Sequence, residues 1–179
     1  MMQGTTILGM SPSTFTLVHV LISLIGIALG LLVLYGMLID KRFDGTTAIF
    51  LLTTVLTSLT GFLFPFERLL PSHILGIISL LTLAVAMVAR YARHMAGAWR
   101  AIYVVSAVLA LYLNVFVLVA QIFMKVPAAH ALAPTGKEPP FLVVQLIVMA
   151  IFVVLGIFAV KKFREPVATQ PQWTKTKAS

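Results

Sequence analysis

The chain has 179 residues, of which 60% are hydrophobic and only 10% charged, and its mean hydropathy is +1.06. A soluble domain carries about 25% charged residues, so most of this surface is built for a solvent other than water. Cysteine is absent, which excludes disulfides, thiolate metal sites and thiol redox chemistry. The formal charge of +8 is too unevenly placed to mark a nucleic-acid partner.

The uncharged tail Met1–Thr14 lacks the basic n-region of a cleavable signal peptide. Five apolar runs follow: Phe15–Ile39, Thr46–Phe66, His73–Tyr91, Trp99–Met124 and Phe141–Val160, with charged residues only at their extreme ends. A helix needs about 20 apolar residues to cross a roughly 30 Å hydrocarbon core, and each run is at or near that length. The predicted fold is therefore all-α, a bundle of five transmembrane helices over residues 15–164. It follows an external tail 1–14 and precedes a disordered cytoplasmic tail 165–179 rich in Pro, Thr, Gln and Lys. The breaks Asp40–Gly45, Glu67–Ser72 and Ala92–Ala98 are short, and Pro71 suits the first turn of the third helix. The break Lys125–Pro140 is the longest and holds Pro127, Pro134, Gly136, Pro139 and Pro140. Loops of that length are often functional.

Charge sets the expected orientation. The face carrying the N-terminus holds Arg68, Lys125 and Lys137. The opposite face holds Lys41, Arg42, Arg90, Arg93, Arg100, Lys161, Lys162, Arg164, Lys175 and Lys177. Basic residues are retained in the cytoplasm, so the N-terminus is expected outside and the C-terminus inside, in a bacterial inner membrane. Arg90, Arg93 and Arg100 are expected to meet anionic lipid headgroups, each contact being worth about 1 kcal/mol. Tyr35, Tyr91 and Trp99 fit an interfacial aromatic belt.

Within lipid, small and polar residues mark helix contacts. His19, Ser23, Gly26 and Gly30 share one face of the first helix, with Gly26 and Gly30 forming a GxxxG pair. The second helix carries Thr53, Thr54, Thr57, Ser58, Thr60 and Gly61, and the third opens with His73 and Gly76. Tyr103, Ser106, Ala110, Asn114 and Gln121 form a seam on the fourth, and Gln145, Met149, Phe152, Gly156 and Ala159 one on the fifth. His19, His73, Gln121 and Gln145 all fall in the outer half, with Asn114 near the middle. That asymmetry predicts a polar pocket opening to the external face.

The chemistry that such a pocket would support is ligand or cofactor binding. His19 and His73 lie on different helices, and two neutral imidazoles can ligate a b-type haem axially. With His130 as a third ligand they would instead hold a metal ion. Asn114, Gln121 and Gln145 could hydrogen-bond a quinone headgroup, Glu67 could orient His73, and Lys137 and Glu138 would sit at the rim. The plainer reading is that these groups only bond one helix to another, as most intramembrane polar residues do. No carboxylate lies deep in a run, and no GxSxG, P-loop, GxGxxG or zinc-protease motif occurs. The alternatives to a ligand-binding or redox role are a structural or assembly subunit of a membrane complex and an oligomeric channel or transporter. The last is weakened by an inner half poor in polar groups.

The segments Thr57–Phe66, Ala110–Phe116 and Ala133–Phe141 resemble those of small, uncharacterised bacterial multi-pass inner-membrane proteins. The resemblance implies the fold and the compartment and carries no activity, cofactor or site residue with it.

Overall fold

A computed structural model describes residues 6–64 and 71–164. Residues 1–5, Glu67 with Arg68, and the tail 165–179 lie outside the described residues. The rest is helical: α1 (Pro12–Leu38), α2 (Asp44–Gly61), α3 (Pro71–Met87), α4 (Ala98–Lys125), the single turn α5 (Pro127–His130) and α6 (Pro139–Lys162). α1 starts where the sequence favours it, because Pro12 occupies the first turn and the Ser11 hydroxyl accepts the Thr14 backbone N–H at 3.2 Å. α3 opens at Pro71 and ends in a π turn, Val88–Ala92, in which the Arg93 N–H reaches the Val88 carbonyl at 2.9 Å. His94, Met95 and Gly97 then take left-handed backbone angles that reverse the chain into α4.

Among the described residues four helices are long and apolar enough to cross a membrane: Pro12–Leu38, His73–Ala92, Ala98–Lys125 and Pro139–Lys162. The expected count of five is corrected by α2. It has 18 residues, begins at Asp44 and carries Thr46, Thr47, Thr53, Thr54, Thr57, Ser58 and Thr60, which lower its hydropathy below that of its neighbours. Its hydroxyls have a direction. Thr47, Thr54 and Ser58 are buried, whereas Leu52, Leu56 and Leu59 face outward. Polar inside and leucine outside is the reverse of a helix packed in water, and it suits a helix whose surroundings are apolar.

α2 runs antiparallel along α1, and α4 touches every other helix. The centre of the bundle is the α4 face Tyr103, Val104, Ala107, Ala110 and Leu111, each at most 3% exposed. Phe50 and Leu51 of α2, Leu83 and Ala86 of α3, and Met37 of α1 close around it. α6 packs mainly on α4 and also meets α1, and it leaves most of its apolar surface outward. The GxxxG pair works as spacing requires. A Cβ on Gly30 would lie 2.6 Å from Leu111 Cδ1 and 2.8 Å from Phe50 Cε2, and one on Gly26 would lie 3.1 Å from Thr53 Oγ1. α1 thus approaches α2 and α4 as closely as glycine permits.

The chain gathers its basic residues at one end, which we call the basic end. The Arg164 backbone N–H donates to the Asp40 carboxylate at 2.8 Å, so the close of α6 meets the close of α1. His19, Thr60 and α5 lie toward the other end, the histidine end. Gly30→Leu should destabilise the bundle by about 1–3 kcal/mol through overpacking. Gly45→Ala, where an added Cβ meets nothing within 4 Å, should change stability by less than about 0.5 kcal/mol. Thermal unfolding of the two variants in detergent checks the contrast.

Candidate functional site

Polar side chains of the long helices come together in pairs along the helix seams. His19 Nδ1 lies 2.8 Å from Thr60 Oγ1 across the α1–α2 seam. The single Thr60 hydroxyl proton goes to its own helix, to the Leu56 carbonyl at 2.7 Å. His19 Nδ1 is therefore the donor, which leaves the lone pair on Nε2. The His19 ring also meets Phe64 edge-on at 5.2 Å. One turn along, the Ser23 hydroxyl lies 3.3 Å from Thr57 Oγ1 and 2.7 Å from the His19 carbonyl. Ser58 and Ser79 join α2 to α3 at 3.0 Å. Asn114 Nδ2 donates to Thr54 Oγ1 at 3.3 Å from α4, and Gln145 Nε2 donates to the Phe116 carbonyl at 3.0 Å from α6.

The candidate cofactor residues occupy these seams as follows. His19 sits between α1 and α2. His73 is buried at the start of α3, its ring 5.6 Å from that of Phe62. Asn114 and Gln145 are buried in other seams, and Gln121 is exposed. His130 stands on α5, where its Nδ1–H donates to the Phe123 carbonyl at 3.3 Å. Among the described residues no three His, Asp or Glu side chains are placed to hold a metal ion, so His19, His73 and His130 do not form the expected three-ligand set. Glu67 lies outside the described residues.

The basic end departs further from expectation. The headgroup contact expected of Arg90 is not what the fold provides: its side chain is 6% exposed and forms an ion pair with Asp44. Its guanidinium lies 5.1 Å from the Tyr103 ring and 5.7 Å from that of Tyr91. Arg100 also turns inward, donating to the Val160 carbonyl at 2.8 Å and to the Phe163 carbonyl, which closes the C-terminus of α6. Arg93 is exposed and lies over the Trp99 ring at 5.1 Å. Arg42 donates to the Arg164 carbonyl at 2.9 Å and lies over Phe163. Asp44, Asp40 and Tyr103 hold this end together. The sequence signal for them was the scarcity of acids beside so many bases.

A third feature has no polar lining. α4 and α6 leave between them, on the basic-end side, a groove of about 520 Å³. Val105, Leu109, Met149, Gly156, Ile157 and Lys161 are among the residues that line it.

The loop before α6 is ordered by Glu138. Its carboxylate accepts the Thr135 hydroxyl at 2.8 Å and the backbone N–H groups of Thr135 and Lys137 at 3.1 and 3.0 Å. Desolvation pushes this carboxyl up, but those hydrogen bonds together outweigh it and hold the group at about 2, below its ordinary 4.5. Glu138 therefore braces its own loop, and this takes up the carboxylate expected at a pocket rim.

No family model, curated protein or solved structure matches the chain.

Two outcomes follow from this geometry. A cycle of Thr54→Val and Asn114→Leu should show a coupling of about 0.6 kcal/mol, and no more than about 1.7, when the single and double variants are unfolded in detergent. Because folding depresses the Glu138 carboxyl, its contribution is complete above pH 4.5 and disappears as the pH falls through about 2. An NMR titration should show the Thr135 and Lys137 amide signals shifting across that interval in the native chain, and not in Glu138→Gln.

Proposed function

We propose that the protein is a multi-pass membrane protein with no catalytic role of its own, a structural or assembly subunit of a bacterial inner-membrane complex. In this reading the histidine end is external and the basic end cytoplasmic, as the three-to-ten distribution of Lys and Arg favours. α2 is carried through the bundle by its neighbours, which take up its hydroxyls, rather than by its own hydropathy. The observation that carries the proposal is the pairing of polar side chains across the helix seams: Thr60 with His19, Thr57 with Ser23, Ser79 with Ser58, Thr54 with Asn114 and the Phe116 carbonyl with the Gln145 amide N–H; the Gln145 carbonyl oxygen and the Tyr103 hydroxyl are the buried exceptions among the described residues. Groups arranged in this way fix helix contacts and leave little to recognise a polar substrate.

A second reading, a haem-binding or quinone-linked redox component, is favoured by one detail. The Thr60 hydrogen bond fixes the His19 tautomer so that Nε2 carries the lone pair that an iron would take.

Purification in mild detergent separates the two. The structural reading expects no Soret band after haem supplementation, substoichiometric metal, and a native mass above that of one 19.5 kDa chain. A stoichiometric Soret band that disappears in His19→Ala would overturn it in favour of the redox reading. A C-terminal reporter fusion active only in the periplasm would overturn the orientation.

A further inference from the structure

We propose that the groove between α4 and α6 is a binding site for one anionic phospholipid, with an acyl chain along the groove and the phosphate at Lys161. This goes beyond the assembly role and requires only that the helices lie in a bilayer.

The dimensions favour a lipid chain. The groove follows α6 from Met149 to Lys161, about 18 Å at 1.5 Å per residue. One leaflet of a roughly 30 Å hydrocarbon core has about that depth. A partner transmembrane helix would need a groove running the full thickness. This one stops near the middle, where Met149 and the Tyr112–Phe152 ring pair, 5.8 Å apart, bound it. Its volume of about 520 Å³ falls within the roughly 300–1,000 Å³ range of ligand pockets.

Gly156 lines the base of the groove. An added Cβ there would meet Val108 Cγ1 at 3.5 Å, an ordinary contact, so a side chain is sterically tolerated at its base. A larger residue would fill the channel rather than force the helices apart.

Charge decides the headgroup. Lys161 lines the open end at the level where α6 leaves the apolar core. The described acids at this end are already engaged, Asp44 by Arg90 and Asp40 by Arg164. Lys161 has no carboxylate partner among the described residues. Arg100, bonded to the carbonyls of Val160 and Phe163, adds a second positive charge beside the same turn. A basic pocket between helices on one face of the membrane is the arrangement that recognises an anionic lipid headgroup.

The test is native mass spectrometry of the full chain released from detergent after exposure to phosphatidylglycerol or phosphatidylcholine of equal chain length. The expected result is one retained lipid, with phosphatidylglycerol favoured about fivefold, the worth of one Lys beside an anionic headgroup. Lys161→Ala should cut that preference to about half or less, Arg100 supplying what remains, and Gly156→Leu should remove retention of both lipids. Met149→Trp fills the far end and serves the same purpose should Gly156→Leu fail to fold. Equal retention of the two lipids, an unchanged preference in Lys161→Ala, or full retention in a folded groove-filling variant would overturn the proposal. A native dimer that Gly156→Leu dissociates would also overturn it, because a second copy would then be the occupant.

Discussion

In a solvent that cannot hydrogen-bond, every polar group on a helix must find its partner within the protein. That constraint shapes this bundle more than any single contact. α2 is the clearest case. Its hydroxyls turn inward, toward Ser23, His19, Ser79 and Asn114, and Leu52, Leu56 and Leu59 turn outward. Several of the same hydroxyls bond back to their own helix, Thr53 to the Ile49 carbonyl and Ser58 to the Thr54 carbonyl. Each seam of α2 therefore has a polar fastening at a particular height, which fixes register. The glycines of α1 supply the close approach that makes those short hydrogen bonds reachable.

The basic end obeys the same constraint with charges. A buried guanidinium is costly unless it is paired and its N–H groups are satisfied. Arg90 meets Asp44 and the face of Tyr103, and Arg100 meets two carbonyls at the end of α6. These contacts join segments far apart in the chain. Arg90 ties the π turn after α3 to the start of α2, and Arg100 ties α4 to α6. The π turn, with its extra residue, lets Arg90 point inward from the last turn of an otherwise apolar helix.

Much of this was legible in the sequence, for reasons that particular residues make plain. The apolar runs, the Gly26–Gly30 pair and the α4 seam through Tyr103, Ser106, Ala110 and Asn114 could be read directly, because helical periodicity and residue size carry that information. Gln121 was read onto the same seam by its heptad step. It is exposed, whereas Phe123, two residues on, is buried against Phe141. The length of the second run concealed how far its hydroxyls lowered its hydropathy, so five crossings were expected where four helices qualify. The pairing of Asp44 with Arg90 joins residues 46 apart in sequence, and no local pattern encodes it. The groove was not legible either, since a gap between two apolar helices has no composition of its own. Gly156 was its only trace, and it was read as a packing residue.

The clasp of Arg100 on α6 has a consequence for biogenesis. Arg100 is synthesised and inserted with α4, but both carbonyls that it holds belong to residues about sixty positions later. Until the ribosome has delivered α6, the guanidinium must be kept at the water interface by solvent or by the insertion machinery. Arrival of the last helix replaces part of that solvation with the two carbonyls. Closure of this clasp therefore waits on the last helix, which makes it one of the latest contacts that a newly made chain can form.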